Sequence, residues 1–430
     1  MPDAPIRLQP IAGSDRLRGV DIARGIALLG ILLVNVRFFF MPIAAGVGQV
    51  DGLPGVEPTV LDRLALSTVD AFCSAKFIGL FSLLFGFGLA LQFDRVAAAG
   101  GSPAEFGARR LGTLLAFGLV HAFLVWYGDV LMAYAILGIP MLFLVRCRAS
   151  TLGWTAVAVT AVSLVLNGSL LALTWAAERF GFMPPAVADA PTDLRGFAAM
   201  MAANFDISSP TWISAEIAAF RDGPFADAFL FRAVLVVILG VITAFSIGWH
   251  SLAMMLVGAW AFRSGLFAPE ASDRRRKIAR LCLAVGLPIS LAGVALRWMI
   301  GFDDLAGYAV GYGLVQLAAS VLPLGYAVAI VEWGPRLPGF LAVPLERTGR
   351  MAITVYLAES LVMTALASWW GFGWFGSLGD FALLAVAVAG WVALVIAANL
   401  WLARFPIGPV EWLWRRLSYG SPARPAPAFR

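Results

Sequence analysis

The chain has 430 residues, of which 60% are hydrophobic and only 13% are charged, with a formal net charge of +5. A water-soluble protein of that composition has too few polar groups to cover its surface, so lipid must be its outer solvent and a multidomain soluble enzyme is excluded. The basic residues fall in short clusters beside apolar runs, which makes them orientation signals and contacts for anionic lipid heads rather than a nucleic-acid surface.

In chain order, residues 1–15 contain Pro, Asp and Gly and are expected to be disordered. The first apolar run, 19–41, carries Asp21, Asn35 and Arg37 and reads as a retained first helix rather than a cleaved signal. Further spans are expected at 64–93, 109–127, 129–146, 151–177, 228–265, 277–300, 308–332, 350–370 and 379–403. The fold class is thus all-α: a polytopic transmembrane helical bundle of about ten helices, one domain over 16–420. Glu411 to Arg416 suits a short interfacial helix, and 421–430 is a tail without evident structure. The three cysteines, Cys73, Cys147 and Cys282, form neither a disulfide framework nor a zinc pattern, and no metal is expected.

The run 228–265 is too long for a simple span, about 57 Å as one helix against roughly 30 Å of hydrocarbon. It reads as two helices turning near Ser246-Ile247-Gly248, or as one helix kinked at Gly240 or Gly248. Loop charge favours the second. Arg16 and Arg18, then Arg95, Arg109 and Arg110, then Arg146 and Arg148 mark cytoplasmic ends, whereas 42–63 and the acidic 178–227 segment face out. A single crossing keeps Arg274, Arg275, Arg276, Lys277 and Arg280 inside and puts both termini in the cytoplasm.

Polar groups within spans are costly in hydrocarbon and therefore carry the functional signal. Asp21 and Arg24 sit at i and i+3 on one helix face and are expected to pair. Asn35, Arg37, Asp70, Lys76 and Arg297 lie at similar depth in the outer half, where they either converge on a water-filled cavity or, for Lys76 and Arg37, reach for the interface. His121, one of two histidines, is the strongest candidate for chemistry, because a neutral imidazole works as a general base near pH 7. Glu359, beside Ser360 in mid-span, needs a proton or a cation as partner.

Several stretches carry a resemblance. The opening RLRGVDIARGIALLGILLVN from Arg16, KFIGLFSLLFGFGLA from Lys76, and RRLGTLLAFGLVHAFLVWYGDVLMAYAILG from Arg109 resemble the YeiB-like bacterial membrane proteins. So do GRMAITVYLAES from Gly349 and GPVEWLWRRLSYG from Gly408. The C-terminal half of that family is catalogued as a domain of unknown function. The Asp-x-x-Arg-Gly opening is also similar to that of transmembrane acyltransferases of the heparan-glucosaminide acetyltransferase type, which move an acyl group from a cytoplasmic thioester to an acceptor across the membrane. No histidine stands just after the first span, where those enzymes are expected to have theirs, so His121 would serve instead.

The resemblance implies a multi-pass protein of the bacterial inner membrane. It also implies acyl transfer, with acyl-CoA as a possible co-substrate, no tightly bound cofactor, and lipids or a small molecule as partners. Arg16, Arg18, Asp21, Arg24, Arg109 and Arg110 would bind the donor. His121 would act as base, oriented by Asp129 or Asp70. Asn35, Arg37, Lys76, Arg297 and Glu359 would face the acceptor or the oxyanion. The alternative is a non-enzymatic carrier for an amphipathic or anionic molecule, with the outer cations as ligands. Oligomeric state has no signature in the chain.

Overall fold

The computed structural model describes residues 17–180 apart from 49, 51, 54 and 55, together with 194–302 and 305–419. Arg16 and the two termini expected to be disordered lie outside the described residues, as does part of the 178–227 segment. The described chain is all-α. In order the helices are α1 (Arg18–Phe40), α2 (Ile43–Gly46), α3 (Val60–Phe72), α4 (Lys76–Ala98), α5 (Pro103–Leu124), α6 (Leu131–Leu144), α7 (Ala149–Arg179), α8 (Gly196–Ala202) and α9 (Pro210–Arg221). They continue as α10 (Phe225–Phe245), α11 (Ile247–Arg263), α12 (Ser272–Ile300), α13 (Leu305–Ala319), α14 (Leu322–Trp333), α15 (Gly339–Arg350), α16 (Ala352–Ala367), α17 (Asp380–Arg404) and α18 (Pro409–Tyr419).

Among the described residues, six helical stretches are long and apolar enough to cross a membrane, and up to eight if the bent pairs α13–α14 and α15–α16 each count as one. The α5–α6 hairpin accounts for the remaining two of the ten expected. Those two fall short because α6 is only 14 residues long and α5 carries Glu105, Arg109, Arg110 and His121. Large side chains such as Phe143, Trp154 and Met299 stand out of the protein surface, as lipid-facing positions do.

Three breaks reshape the expected spans. The span expected at 64–93 is α3 and α4, separated at Cys73–Ala75 where Ala75 takes a left-handed φ of 61°. His250 of α11 contacts the Ala75 carbonyl at 3.0 Å, so this second histidine holds a backbone group that the break releases. The run 228–265 breaks at Ser246, between the two glycines proposed as kinks. It does not form a hairpin. Ser246 bonds Asn167 of α7 at 2.5 Å, and Trp260 packs against Gly153 of the same helix, so α11 runs antiparallel along α7. Arg263 then reaches Asp94 and the Val145 carbonyl, at the ends of α4 and α6. The third break, at Met351, turns α15 into α16 by 87°.

The helices meet through glycine, because without a hydrophobic drive in lipid, close backbone contact supplies the attraction. A Cβ on Gly86 or Gly258 would overlap the carbonyl of Met255 or Leu83 across the α4–α11 contact. Gly25 and Gly349 do the same between α1 and the α15–α16 corner, against the carbonyls of Leu345 and Asp21.

Outside the spans, α9 locks onto the end of α1. Its Glu216 is fully buried and accepts from the Ile43 backbone N–H at 3.1 Å and from Trp212 Nε1 at 3.1 Å. Burial outweighs these donors and pushes the carboxyl from an ordinary 4.5 up to about 8. Between those values the folded state holds a proton that the unfolded state has released, so stability falls as pH rises through this window. Thermal unfolding of the detergent-solubilised protein should therefore shift downward from pH 5 to pH 8. Glu216→Gln should flatten that profile, and an unchanged slope in the variant refutes the assignment.

Candidate functional site

The site grows from the turn between α5 and α6. The last carbonyls of α1 have no partner within the helix. Trp126 Nε1 and the Tyr127 hydroxyl donate to one of them, Phe38 O, at 3.3 and 2.7 Å, which pins the turn against the end of α1. Gly118 lets the returning chain cross α5 closely, since a Cβ there would strike the Met132 backbone and the Asp129 carboxyl. The turn thereby delivers Asp129 to His121.

His121 Nδ1 and Asp129 Oδ1 are 2.8 Å apart, and both side chains are buried. The second carboxylate oxygen accepts the Met132 N–H at 2.5 Å, in the first turn of α6, so Asp129 is held by a helix start while it holds the histidine. With Asp129 as acceptor, the shared proton belongs to Nδ1 and Nε2 keeps its lone pair. Nε2 is buried without a hydrogen-bond partner. Tyr356 of α16 and Trp126 flank the imidazole, with ring centroids 5.3 and 6.3 Å away, and the Tyr356 hydroxyl accepts the Val130 N–H at 3.0 Å. Glu359 lies one turn further along α16, buried, with Oε1 unpartnered.

One cavity lies beneath this turn, lined by Trp126 and Tyr127, and another, beside Arg37 and Asp380, lies between α1, α3 and α17.

At the opposite end of the bundle, Arg24 pairs with Asp21 at 2.8 Å, as the i, i+3 spacing requires. Asp21 is buried and its carbonyl abuts Gly349 at the α15–α16 corner, while the Arg24 guanidinium passes over Gly88 of α4. The first turn of α16 is capped from α18, where Glu411 accepts from the Ile353 and Thr354 N–H groups at 2.8 and 3.0 Å. Tyr356 follows within one turn, roughly 5 Å along the helix axis, and its ring lies 5.3 Å from that of His121. Arg18 pairs with Glu346, Arg109 with Glu105, and Arg110 stacks on Trp414 of α18 at 3.6 Å. These arginines share one end of the bundle but hold different partners.

Removing one charge of the Asp21–Arg24 pair should destabilise the protein more than removing both, with a coupling on the order of 1 kcal/mol. Chemical denaturation of the two single variants and the double variant measures it, and additive losses would refute the pairing.

The outer residues sort differently from the sequence-based expectation. Asp70 gathers Arg297 at 3.1 Å and Ser74 at 2.8 Å, so it is engaged away from His121, and Asp129 alone orients the ring. Lys76 is fully buried and does not reach the interface. The α3–α4 break places it at a helix start, where it donates to the Asp70 carbonyl at 2.6 Å. Arg37 pairs with Asp380 at 2.9 Å. Asn35 makes no side-chain hydrogen bond among the described residues. Arg37, Asp70 and Arg297 all lie within electrostatic reach of Tyr308, a cluster of its own in which no member touches the imidazole.

Tyr356 and Arg232 escaped the sequence reading of the site. Tyr356 was detectable in principle, since Tyr356, Glu359 and Ser360 share one helical face.

Fold and site together define a multi-pass helical membrane protein with a buried, carboxylate-oriented histidine. Residues 261–421 match the family described as protein of unknown function (DUF418). The chain is 30% identical over 405 residues to YeiB of Escherichia coli strain K12, covering 93% of this chain and 95% of that protein. It is 28% identical over 441 residues to YxaH of Bacillus subtilis strain 168, covering 96% of each. The chain belongs to the YeiB-like DUF418 family.

Proposed function

We propose that the chain is a membrane-embedded acyltransferase, drawing an acyl group from a thioester of the acyl-CoA class and passing it to a hydroxyl or amine at the outer face. The observation that carries this reading is the buried His121–Asp129 pair with its unpartnered Nε2, the arrangement that an activating base needs.

In the proposed reaction Nε2 takes the proton of the acceptor as its oxygen or nitrogen attacks the thioester carbonyl. The C–S bond then breaks, and the departing thiolate receives that proton from the imidazolium. Asp129 stabilises the imidazolium and keeps the ring in its tautomer. The positive-inside rule makes the arginine-rich end cytoplasmic, where Arg16, Arg18, Arg109 and Arg110 would meet the phosphates of the donor. Asp21 and Arg24 would shape the entry toward the α15–α16 corner. Tyr356 and Glu359 stand nearest to the reacting centre from α16, a better-placed pair than Lys76 or Arg37 for acting on the acceptor or oxyanion.

A carrier that grips anionic head groups with Arg37 and Arg297 has less support, because Asp380 and Asp70 already neutralise those cations. The deciding experiment incubates purified wild-type protein with acetyl-CoA and a panel of hydroxyl and amine acceptors, and follows release of free thiol. Thiol release above a His121→Gln control is expected. Absence of release and of donor binding would end the enzyme reading.

A further inference from the structure

The cavity beneath Trp126 and Tyr127 contains a charge that the fold leaves unanswered. Arg232 of α10 is 4% exposed. Its Nη1 donates to the Phe123 carbonyl at 3.3 Å, while its Nε is buried without a partner. Among the described residues no carboxylate comes within ion-pair distance of it. Glu216, a buried carboxyl within electrostatic reach of the same Tyr127, spends its acceptors on Ile43 and Trp212. A guanidinium with one carbonyl acceptor and, beyond it, only the Phe220 ring 6.0 Å away is costly to bury, and protein arginines at this depth are normally paired.

What surrounds it suits a ligand. Arg232 lines the cavity with Trp126, Tyr127, Phe220 and Phe375, and Thr364 contributes a buried hydroxyl that also lacks a partner. The guanidinium Nε and the hydroxyl are donors without acceptors, and the walls are aromatic. Trp126 is shared with the His121 site, its ring centroid 6.3 Å from the imidazole.

We infer that Arg232 and Thr364 form a subsite for a singly charged oxyanion, a carboxylate or phosphodiester, whose apolar body extends beyond the cavity, because the cavity itself holds only about 10 Å³. The guanidinium binds such a group in bidentate fashion, and one negative charge neutralises one buried positive charge. The subsite stands independently of acyl transfer. If His121 acts on the same molecule, the acceptor is an amphipathic anion.

The test is thermal unfolding of the full-length protein in a neutral maltoside detergent, titrated with dodecanoate, phosphatidylglycerol, acetate or uncharged dodecanol. Dodecanoate and phosphatidylglycerol should raise the unfolding temperature saturably, and dodecanol should not. Arg232→Gln should weaken the anion effect by about tenfold or more, and Thr364→Val by a few-fold. Half-saturation by acetate at concentrations as low as those of dodecanoate would support the oxyanion site and assign it to a soluble ion. Arg232→Met, tested without added anion, should unfold at or above the wild-type temperature, because no neutralising partner is lost. A drop of several degrees in that variant would mark the arginine as structural and overturn the inference. So would equal anion binding by wild type, Arg232→Gln and Thr364→Val, or no binding by wild type at all. His121→Gln should bind the anions as wild type does, which keeps failure of this subsite distinguishable from failure of the enzyme reading.

Discussion

His121→Gln should lower acyl transfer by about a hundredfold or more, the usual worth of a positioned base, while expression and thermal unfolding stay near wild type. The amide can keep the hydrogen bond to Asp129 Oδ1 through its NH2 group, so the turn between α5 and α6 retains its anchor. It cannot accept the acceptor's proton. His121→Ala should be equally inactive and somewhat less stable, since it leaves a cavity between Tyr356 and Trp126 and one oxygen of Asp129 unanswered. Asp129→Asn should lose activity to a similar degree, because its NH2 group can donate to Nδ1 and thereby move the ring proton to Nε2. Single-turnover rates with acetyl-CoA, read beside unfolding curves for each variant, check the series. Full activity in His121→Gln would exclude the acid–base role, and activity in Asp129→Asn would exclude the orienting one.

Gly258→Ala and Gly86→Ala should each impair folding severely, at or above the 1–3 kcal/mol typical of overpacked cores. Each new methyl would enter the space of a carbonyl on the facing helix, at Leu83 and Met255. A side chain can rotate away from such an overlap, whereas a backbone carbonyl can yield only if α4 and α11 separate. Separation would strip contacts along the whole seam and carry His250 off the Ala75 carbonyl. The control is Gly240→Ala in α10, where nothing lies within 4 Å of the added carbon and the better helix propensity of alanine should be neutral or slightly stabilising. Yields of monodisperse protein and unfolding temperatures measure the contrast. Equal behaviour of the three variants would refute close packing as the source of the effect.

Hydropathy and charge spacing disclosed the all-α class, nearly every span and the polar residues worth testing. Each of those signals is local: an apolar run meets lipid wherever it is, and Asp21 and Arg24 face each other because three residues of helix separate them. His121 was conspicuous for the same reason, as a titratable ring in an otherwise apolar stretch. The choice of partners was not local. Asp129 and Asp70 were equivalent candidates for orienting His121 until Gly118 and the Phe38 carbonyl drew the α5–α6 turn onto the end of α1. Lys76 could not be told from a lysine reaching for the interface until the α3–α4 break buried it, and α11 supplies the histidine that caps that break. Arg232 was one polar residue among many, and its significance lies in what is missing around it. Which groups meet depends on where helices approach backbone to backbone, as Gly25 does with Leu345 and Gly349 with Asp21, more than 300 residues apart in the chain. Such contacts leave no period in the sequence, only a glycine on one side and an unremarkable carbonyl on the other.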